Sequence, residues 1–234
     1  MRESSIARIG ELALWHLMRC GEKLCAPAGA LKRARCAISV FFSVPGRFGP
    51  RRTGEAPLTE VLVSLPEAWL RGPLPGVAPV LQPAAFALVQ AREDIARAIE
   101  GLSAAQLRAE PGGAASVGFH LRHIARSIDR LLSYSRGQGL TAEQLGALAA
   151  ESELVDPGIR VETLARDVEA SIDRALVALR SADPTTLHDG RTVGRAALPS
   201  TVFGVLFHIA EHTQRHTGQI IATAKVVRVG AEWR

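Results

Sequence analysis

The feature that most limits the possible folds of this chain is a run of apolar residues with a helical period between residues 161 and 181. Apolar side chains recur there every three or four positions, which places them on one side of an α-helix. The stripe consists of Val161, Leu164, Val168, Ile172, Ala175, Leu176 and Leu179. Because such a side must be buried against other elements, the segment predicts a helix within a packed helical domain.

Other segments also have the length and composition of helices. We predict helices over about 84–102, over 116–136, over a short segment 141–150 that opens with the capping-box sequence Thr141-Ala-Glu-Gln144, and from Ser200 or Thr201 to about Val226. Turn sequences rich in proline and glycine separate them. The sequence has no strong strand pattern. The predicted fold is therefore all-α, a four-helix bundle.

The first 55 residues differ from the rest of the chain. Residues 1–53 contain ten Lys and Arg against three Asp and Glu, so the net charge of +5 arises in this segment and the remainder is slightly acidic. We predict a basic, irregular and poorly ordered extension over residues 1–55 and the helical bundle over residues 56–234. Within the bundle's lead-in, Trp69 and Leu70 are predicted to pack as anchors. The acidic body argues against a nucleic-acid partner.

The positions of the cysteines and the lengths of the apolar runs indicate where in the cell the protein functions. All three cysteines, Cys20, Cys25 and Cys36, lie in the extension, so the body has no thiol for a disulfide or a metal site. The longest apolar run, residues 36–44, is too short to cross a membrane and lacks the features of an export signal. We therefore predict a cytoplasmic protein without a membrane partner.

Five of the seven histidines lie on two of the predicted helices: His120 and His123 on the second, and His208, His212 and His216 on the last. Residues four apart share a helix face about 6 Å apart, so a neighbouring pair of imidazoles can hold one ion. On the last helix the apolar stripe favours the pair His212/His216 over His208/His212. On the second helix the stripe lies closer to His120 than to His123.

Three imidazoles with an open position would suit a borderline divalent ion. Zinc and nickel fit this donor set best, and manganese or iron are alternatives. The competing interpretation is that these residues are surface histidines or hydrogen-bonded core histidines. An i,i+4 pair on an inward face, with more histidines one helix away, favours the metal site.

Residues 198–220 resemble the final helix of the DinB/YfiT-like superfamily of metal-dependent proteins, and the resemblance spans roughly residues 65–226. In that family an HxxxH pair followed by a Gly-Gln step supplies two ligands. The resemblance therefore implies that His212 and His216, which precede Gly218-Gln219, are ligands.

The family's third ligand is a histidine about seven residues after a Ser or Thr that opens the second helix. Ser116 and His123 have this spacing, so the resemblance implies His123 as the third ligand. The tryptophan that usually precedes the Ser is absent, since Ala115 stands in its place.

The resemblance also implies a four-helix bundle that forms a homodimer, because these are common features of the family. Some members resemble transferases or isomerases that use a low-molecular-weight thiol. The predicted function is a metal-dependent enzyme, a thiol-dependent S-transferase or a hydrolase, acting on a small-molecule substrate. The alternative is a non-catalytic, metal-binding dimer of a stress response. His120, His208 and Glu211 are candidates to hydrogen-bond to the ligating histidines and so orient them. No catalytic residue is assigned.

Overall fold

The computed structural model describes residues 65–151, 153, 156 and 158–230 of the chain. This part is mostly helical, which confirms the all-α class. Its helices are α1 (Gln82–Ile99), α2 (Ala104–Arg108), α3 (Val117–Ser135), α4 (Ala142–Ala149), α5 (Val161–Ser181) and α6 (Val202–Val229). The predicted extension, residues 1–55, lies outside the described residues, so the extension and its boundary stay predictions.

The four long helices pack side by side around one apolar core. Helices α1 and α3 each pack against both α5 and α6. The predicted stripe of α5 is buried except for Val161, which is half-buried. Since α3 has two packed neighbours, two of its faces are buried, and its polar residues on those faces lie inside the protein.

Side-chain caps fix where the helices begin. The hydroxyl of Ser116 accepts a hydrogen bond from the backbone N–H of Phe119 at 3.1 Å and opens α3. The hydroxyl of Thr201 accepts from the N–H of Gly204 at 3.0 Å and opens α6. The capping box predicted for α4 is present, with Thr141 and Gln144 bonded to each other's backbone. These caps satisfy N–H groups that a helix cannot bond internally.

A short hairpin precedes α6 and corrects the expectation of a chain without strands. Strands β1 (Gly190–Val193) and β2 (Leu198–Thr201) pair antiparallel, with Gly190 opposite Thr201. Four residues are too few to show a clear alternation in sequence. Contacts outside the hairpin hold it instead: Arg191 Nε donates to the carbonyl of Ser135 at 2.8 Å. The hairpin leads directly into α6 and so anchors the start of that helix.

The prediction that Trp69 and Leu70 pack as anchors is wrong. Their side chains are exposed, at 60% and 56%. A short 3₁₀ turn over Ala68–Leu70 points Ala68 inward instead, and its N–H donates to Gln90 Oε1 at 2.9 Å.

Among the described helices, none combines the length and the apolar character that a bilayer crossing requires.

Candidate metal centre

Three histidines from two helices meet in the interior. His123 comes from α3, and His212 and His216 come from successive turns of α6. Each offers one ring nitrogen, and these three atoms lie within 4.8 Å of one another. The residues are only 8%, 3% and 7% exposed. The ring centroids are 4.4 Å apart for His123 and His216, and 4.5 Å apart for His212 and His216.

The helix packing explains why these side chains face each other. Helices α3 and α6 pack together along their length, and the four-residue spacing puts His212 and His216 on the side of α6 that carries Ile209 and Ile220. On α3, the ring of Phe119 stacks on that of His123 with centroids 5.6 Å apart and an interplanar angle of 10°. The cluster is therefore held by the core and by an aromatic neighbour.

The ring nitrogens of the cluster contact each other in pairs, and this pairing leaves some of them without a hydrogen-bond donor. Nε2 of His123 lies 2.8 Å from Nε2 of His212, and Nδ1 of His216 lies 3.0 Å from Nδ1 of His120. In each neutral pair one nitrogen donates and the other accepts. If Nδ1 of His216 donates, its Nε2 keeps a lone pair. Nδ1 of His212 is buried and has no hydrogen-bond partner among the described residues.

Burial makes three of these imidazoles hard to protonate. Burial, with a smaller contribution from repulsion by a proton on His123, lowers the pKa of His120 to about 4, of His212 to about 3 and of His216 to about 2. At neutral pH these rings are uncharged. The uncharged ring is the form that a metal ligand requires.

A carboxylate lies behind His123, on the side of Nδ1. Oε1 of Glu151 is 3.1 Å from that nitrogen, although the ring N–H is not well aligned for a hydrogen bond. Oε2 of the same group accepts from Arg130 at 2.8 Å. Burial raises the pKa of Glu151, but contact with His123 and the charge of Arg130 together bring it below its usual value. The sequence analysis did not identify Glu151.

The predicted supporting residues lie in different surroundings. His120 is 3% exposed and touches His216, so it borders the cluster. The side chain of His208 is 44% exposed, and its Nδ1 lies 3.2 Å from Oε2 of Glu211. Glu211 also pairs with Arg215 near the surface. The structure thus places His120 inside and the pair His208 and Glu211 towards solvent.

This arrangement fits a divalent ion. The group holds three nitrogen donors and no carboxylate, and zinc and nickel accept such a set. The uncharged rings and the unpartnered nitrogen of His212 supply lone pairs that only a cation or a proton donor can satisfy. The three-histidine group could therefore hold a metal ion.

The sequence of this chain matches the model of a known protein family. The model of the DinB superfamily matches residues 87–220, which is more than half of the chain and includes all three histidines. Among curated proteins, no sequence matches this chain.

Proposed function

Because the chain belongs to the DinB superfamily, we propose that it is a divalent-metal-dependent enzyme whose ion is held by His123, His212 and His216. The observation that carries the proposal is the convergence of three buried ring nitrogens within 4.8 Å. Burying three imidazoles side by side costs free energy unless their polar atoms find partners. One shared cation would satisfy all three.

Zinc or nickel is the metal we propose, with manganese or iron as the weaker alternatives. All three donors are imidazole nitrogens, which borderline divalent ions prefer, whereas manganese favours oxygen. Three protein ligands leave at least one position for an exogenous molecule, as in catalytic zinc sites.

The proposed reaction is the activation of a small nucleophile, either the thiol of an S-transferase or the water of a hydrolase. A bound divalent ion would lower the pKa of that thiol or water and so supply the nucleophile at neutral pH. The three histidines would hold the ion and orient its open position. The lowered pKa values of His212 and His216 keep these two rings uncharged at neutral pH. Phe119 and the apolar core exclude bulk water from behind the rings.

A second candidate function is a metal-binding module without catalysis. The observation in its favour is the low exposure of the three histidines, 3% to 8%, which leaves little room for a substrate beside the ion. The stacked rings of Phe203 and Phe207, with Phe207 50% exposed, would suit a contact between two such modules.

Under either function, we propose that the chain forms the four-helix bundle of the family and a homodimer. The side-by-side packing of the long helices supports the bundle.

The first experiment measures metal content in protein purified without a nickel column. We expect about one divalent ion per chain, as in other three-histidine sites, and none in the double variant His212→Ala/His216→Ala. The variant His188→Ala, at an exposed loop position, is the control and should keep the ion. Full occupancy in the double variant would falsify the ligand assignment.

A second experiment separates the reactions. The metal-loaded protein is incubated with low-molecular-weight thiols and chlorodinitrobenzene, and in parallel with activated esters. Thiol transfer that disappears in His212→Ala/His216→Ala supports the S-transferase, and ester cleavage with the same dependence supports the hydrolase. Metal binding without turnover of either kind supports the non-catalytic module.

A further inference from the structure

Three arginines spaced four residues apart on α3 contact the last turn of α4 and the residues that follow it. Arg122 donates to the backbone carbonyls of Glu151, at 3.1 Å, and Glu153. Arg126 donates to the carbonyl of Ala147 at 3.2 Å. The spacing of four puts the arginines on one helix face. Together they tie the end of α4 and the residues after it to α3.

The last contact in this series is with a carboxylate rather than a carbonyl. Arg130 donates to Oε2 of Glu151 at 2.8 Å and to Oε1 at 3.4 Å, and the two side chains are 9% and 13% exposed. A forked, largely buried contact of this kind holds a carboxylate in one orientation. Here that orientation puts Oε1 at 3.1 Å from Nδ1 of His123.

We propose that Glu151 is a positioning residue for the metal site: it holds the proton of His123 on Nδ1, so that the lone pair of Nε2 faces His212 and His216. This inference rests on the proposed function. The two ring nitrogens of an imidazole are linked, because a proton fixed on one leaves the other as the donor. A carboxylate behind a ligating histidine also makes that histidine a stronger donor.

The geometry argues that Glu151 is neither a ligand nor a base for this site. The group of nitrogens that converge does not include its carboxylate. It contacts the Nδ1 side of the ring, whereas Nε2 of His123 is the atom that lies 2.8 Å from His212. Glu151 therefore acts on the site through His123 alone.

The other two histidines lack a carboxylate among the described residues. Nδ1 of His216 meets the neutral ring of His120, and Nδ1 of His212 has no hydrogen-bond partner there. His123 is thus the ligand whose ring orientation depends on an anion. Removing that anion should weaken metal binding without removing any ligand.

The test compares Glu151→Gln and Glu151→Met with wild type in the full chain. Gln keeps one acceptor oxygen, while Met removes both at similar volume, so zinc affinity should fall in the order wild type, Gln, Met. We expect a loss of about 10- to 100-fold for Glu151→Met, measured by competition with a chromophoric chelator. The control Glu153→Gln removes an exposed carboxylate of the same segment and should bind zinc as wild type does.

A second readout needs no metal. Long-range ¹H–¹⁵N correlation spectra of the metal-free protein should show the proton of His123 on Nδ1 in wild type and shifted toward Nε2 in Glu151→Met. A purely structural role of Glu151 would lower the melting temperature without moving this proton. The double variant Arg130→Met/Glu151→Met guards against misfolding, since it leaves no buried unpaired charge, and it should bind zinc as weakly as Glu151→Met.

The outcomes are distinguishable. If folded Glu151→Met binds zinc as tightly as wild type while His212→Ala/His216→Ala does not bind, the inference about Glu151 fails and the proposed function stands. If wild type itself binds no divalent ion, the proposed function fails and the inference falls with it.

Discussion

At the scale of single residues, the interior imidazoles set how this protein should respond to acid. Burial lowers the pKa of His120, His212 and His216 far below 6.5, so the folded protein takes up their protons only near pH 4 or lower. The unfolded chain takes up the same protons near pH 6.5. Between these limits the unfolded state binds more protons, and acid favours it.

We therefore expect the metal-free protein to lose stability as the pH falls from about 6.5 to about 4. The measurement is urea unfolding in the presence of a chelator at several pH values in this range. His120→Leu removes one of the three groups and should show a shallower loss, whereas the exposed control His188→Gln should follow wild type. Equal stability of the metal-free protein at pH 7 and pH 4.5 would contradict the expectation.

The stacking of Phe119 on His123 gives a second prediction for single residues. Phe119→Leu removes a ring that fixes the plane of a ligand, and an aromatic pair is worth about 0.5–1.5 kcal/mol. We expect zinc affinity to fall by about 2- to 10-fold, which is that free energy expressed as a ratio. Phe207→Leu is the matched control, because it breaks the stack with Phe203, centroids 6.2 Å apart, away from the site. An equal effect of both variants would rule out the local explanation.

At the scale of elements, two glycines of α6 differ in their surroundings. A Cβ at Gly218 would meet no atom within 4 Å, whereas one at Gly204 would lie 2.8 Å from Ser200 Oγ and 3.3 Å from the capping Oγ1 of Thr201. Glycine costs about 1 kcal/mol relative to alanine inside a helix. Only Gly218 can be replaced without disturbing a cap.

We expect Gly218→Ala to raise the free energy of unfolding by about 0.5–1 kcal/mol. Gly204→Ala should give less, or destabilise, because the new methyl group pushes against the cap of α6. Chemical denaturation of both variants measures the difference. If both variants gained the same stability, the cap would not be sensitive to this position.

The helices themselves were predictable from sequence, but the contact of Glu151 with His123 was not. Apolar stripes and capping residues predicted α3, α5 and α6 within a few residues. A helical wheel favoured His120 over His123, but it treats a helix as having one buried face, and α3 has two. Both histidines are buried as a result. The wheel therefore favoured the wrong histidine as the ligand candidate relative to the group of converging nitrogens, which includes His123. The resemblance to the DinB/YfiT-like family, through the spacing from Ser116, implied His123.

Glu151 escaped sequence analysis because it lies 28 positions after His123, beyond a turn and a short helix. The available signal was the series Arg122, Arg126 and Arg130 on one helix face. Such guanidinium groups need acceptors where they are removed from solvent, as the buried Arg130 and the half-buried Arg122 and Arg126 are. Nothing in the sequence tells which acceptors they find. Only the folded path of the last turn of α4 and the residues after it brings the carboxylate and three carbonyls to them.

At the scale of the whole molecule, the described residues share one apolar core. The buried apolar cluster of the described residues runs from Val77 to Val227. All three proposed ligands lie between these two residues in the sequence, on α3 and α6. We expect from its composition that the basic extension is dispensable for the fold and for the metal site. The extension lies outside the described residues, so this stays a prediction.

We therefore expect a variant that lacks residues 1–55 to keep both its helical content and its zinc. The measurements are circular dichroism, thermal unfolding and metal analysis of the truncated and full-length proteins side by side. A truncated protein that loses its fold or its ion would give the extension a structural role and move the boundary at residue 56.

The contact between α3 and α6 has a consequence for the unfolded chain. His123 and His212 are 89 residues apart in sequence, so a group held by both closes a long polymer loop, much as a disulfide does. By the chain-entropy estimate such a cross-link is worth about 4–5 kcal/mol for a loop of this size, if it persists when the protein unfolds. In the cysteine-free body, a metal ion held by histidines would thus restrain the chain as a disulfide restrains a secreted protein. A chelator would remove this cross-link.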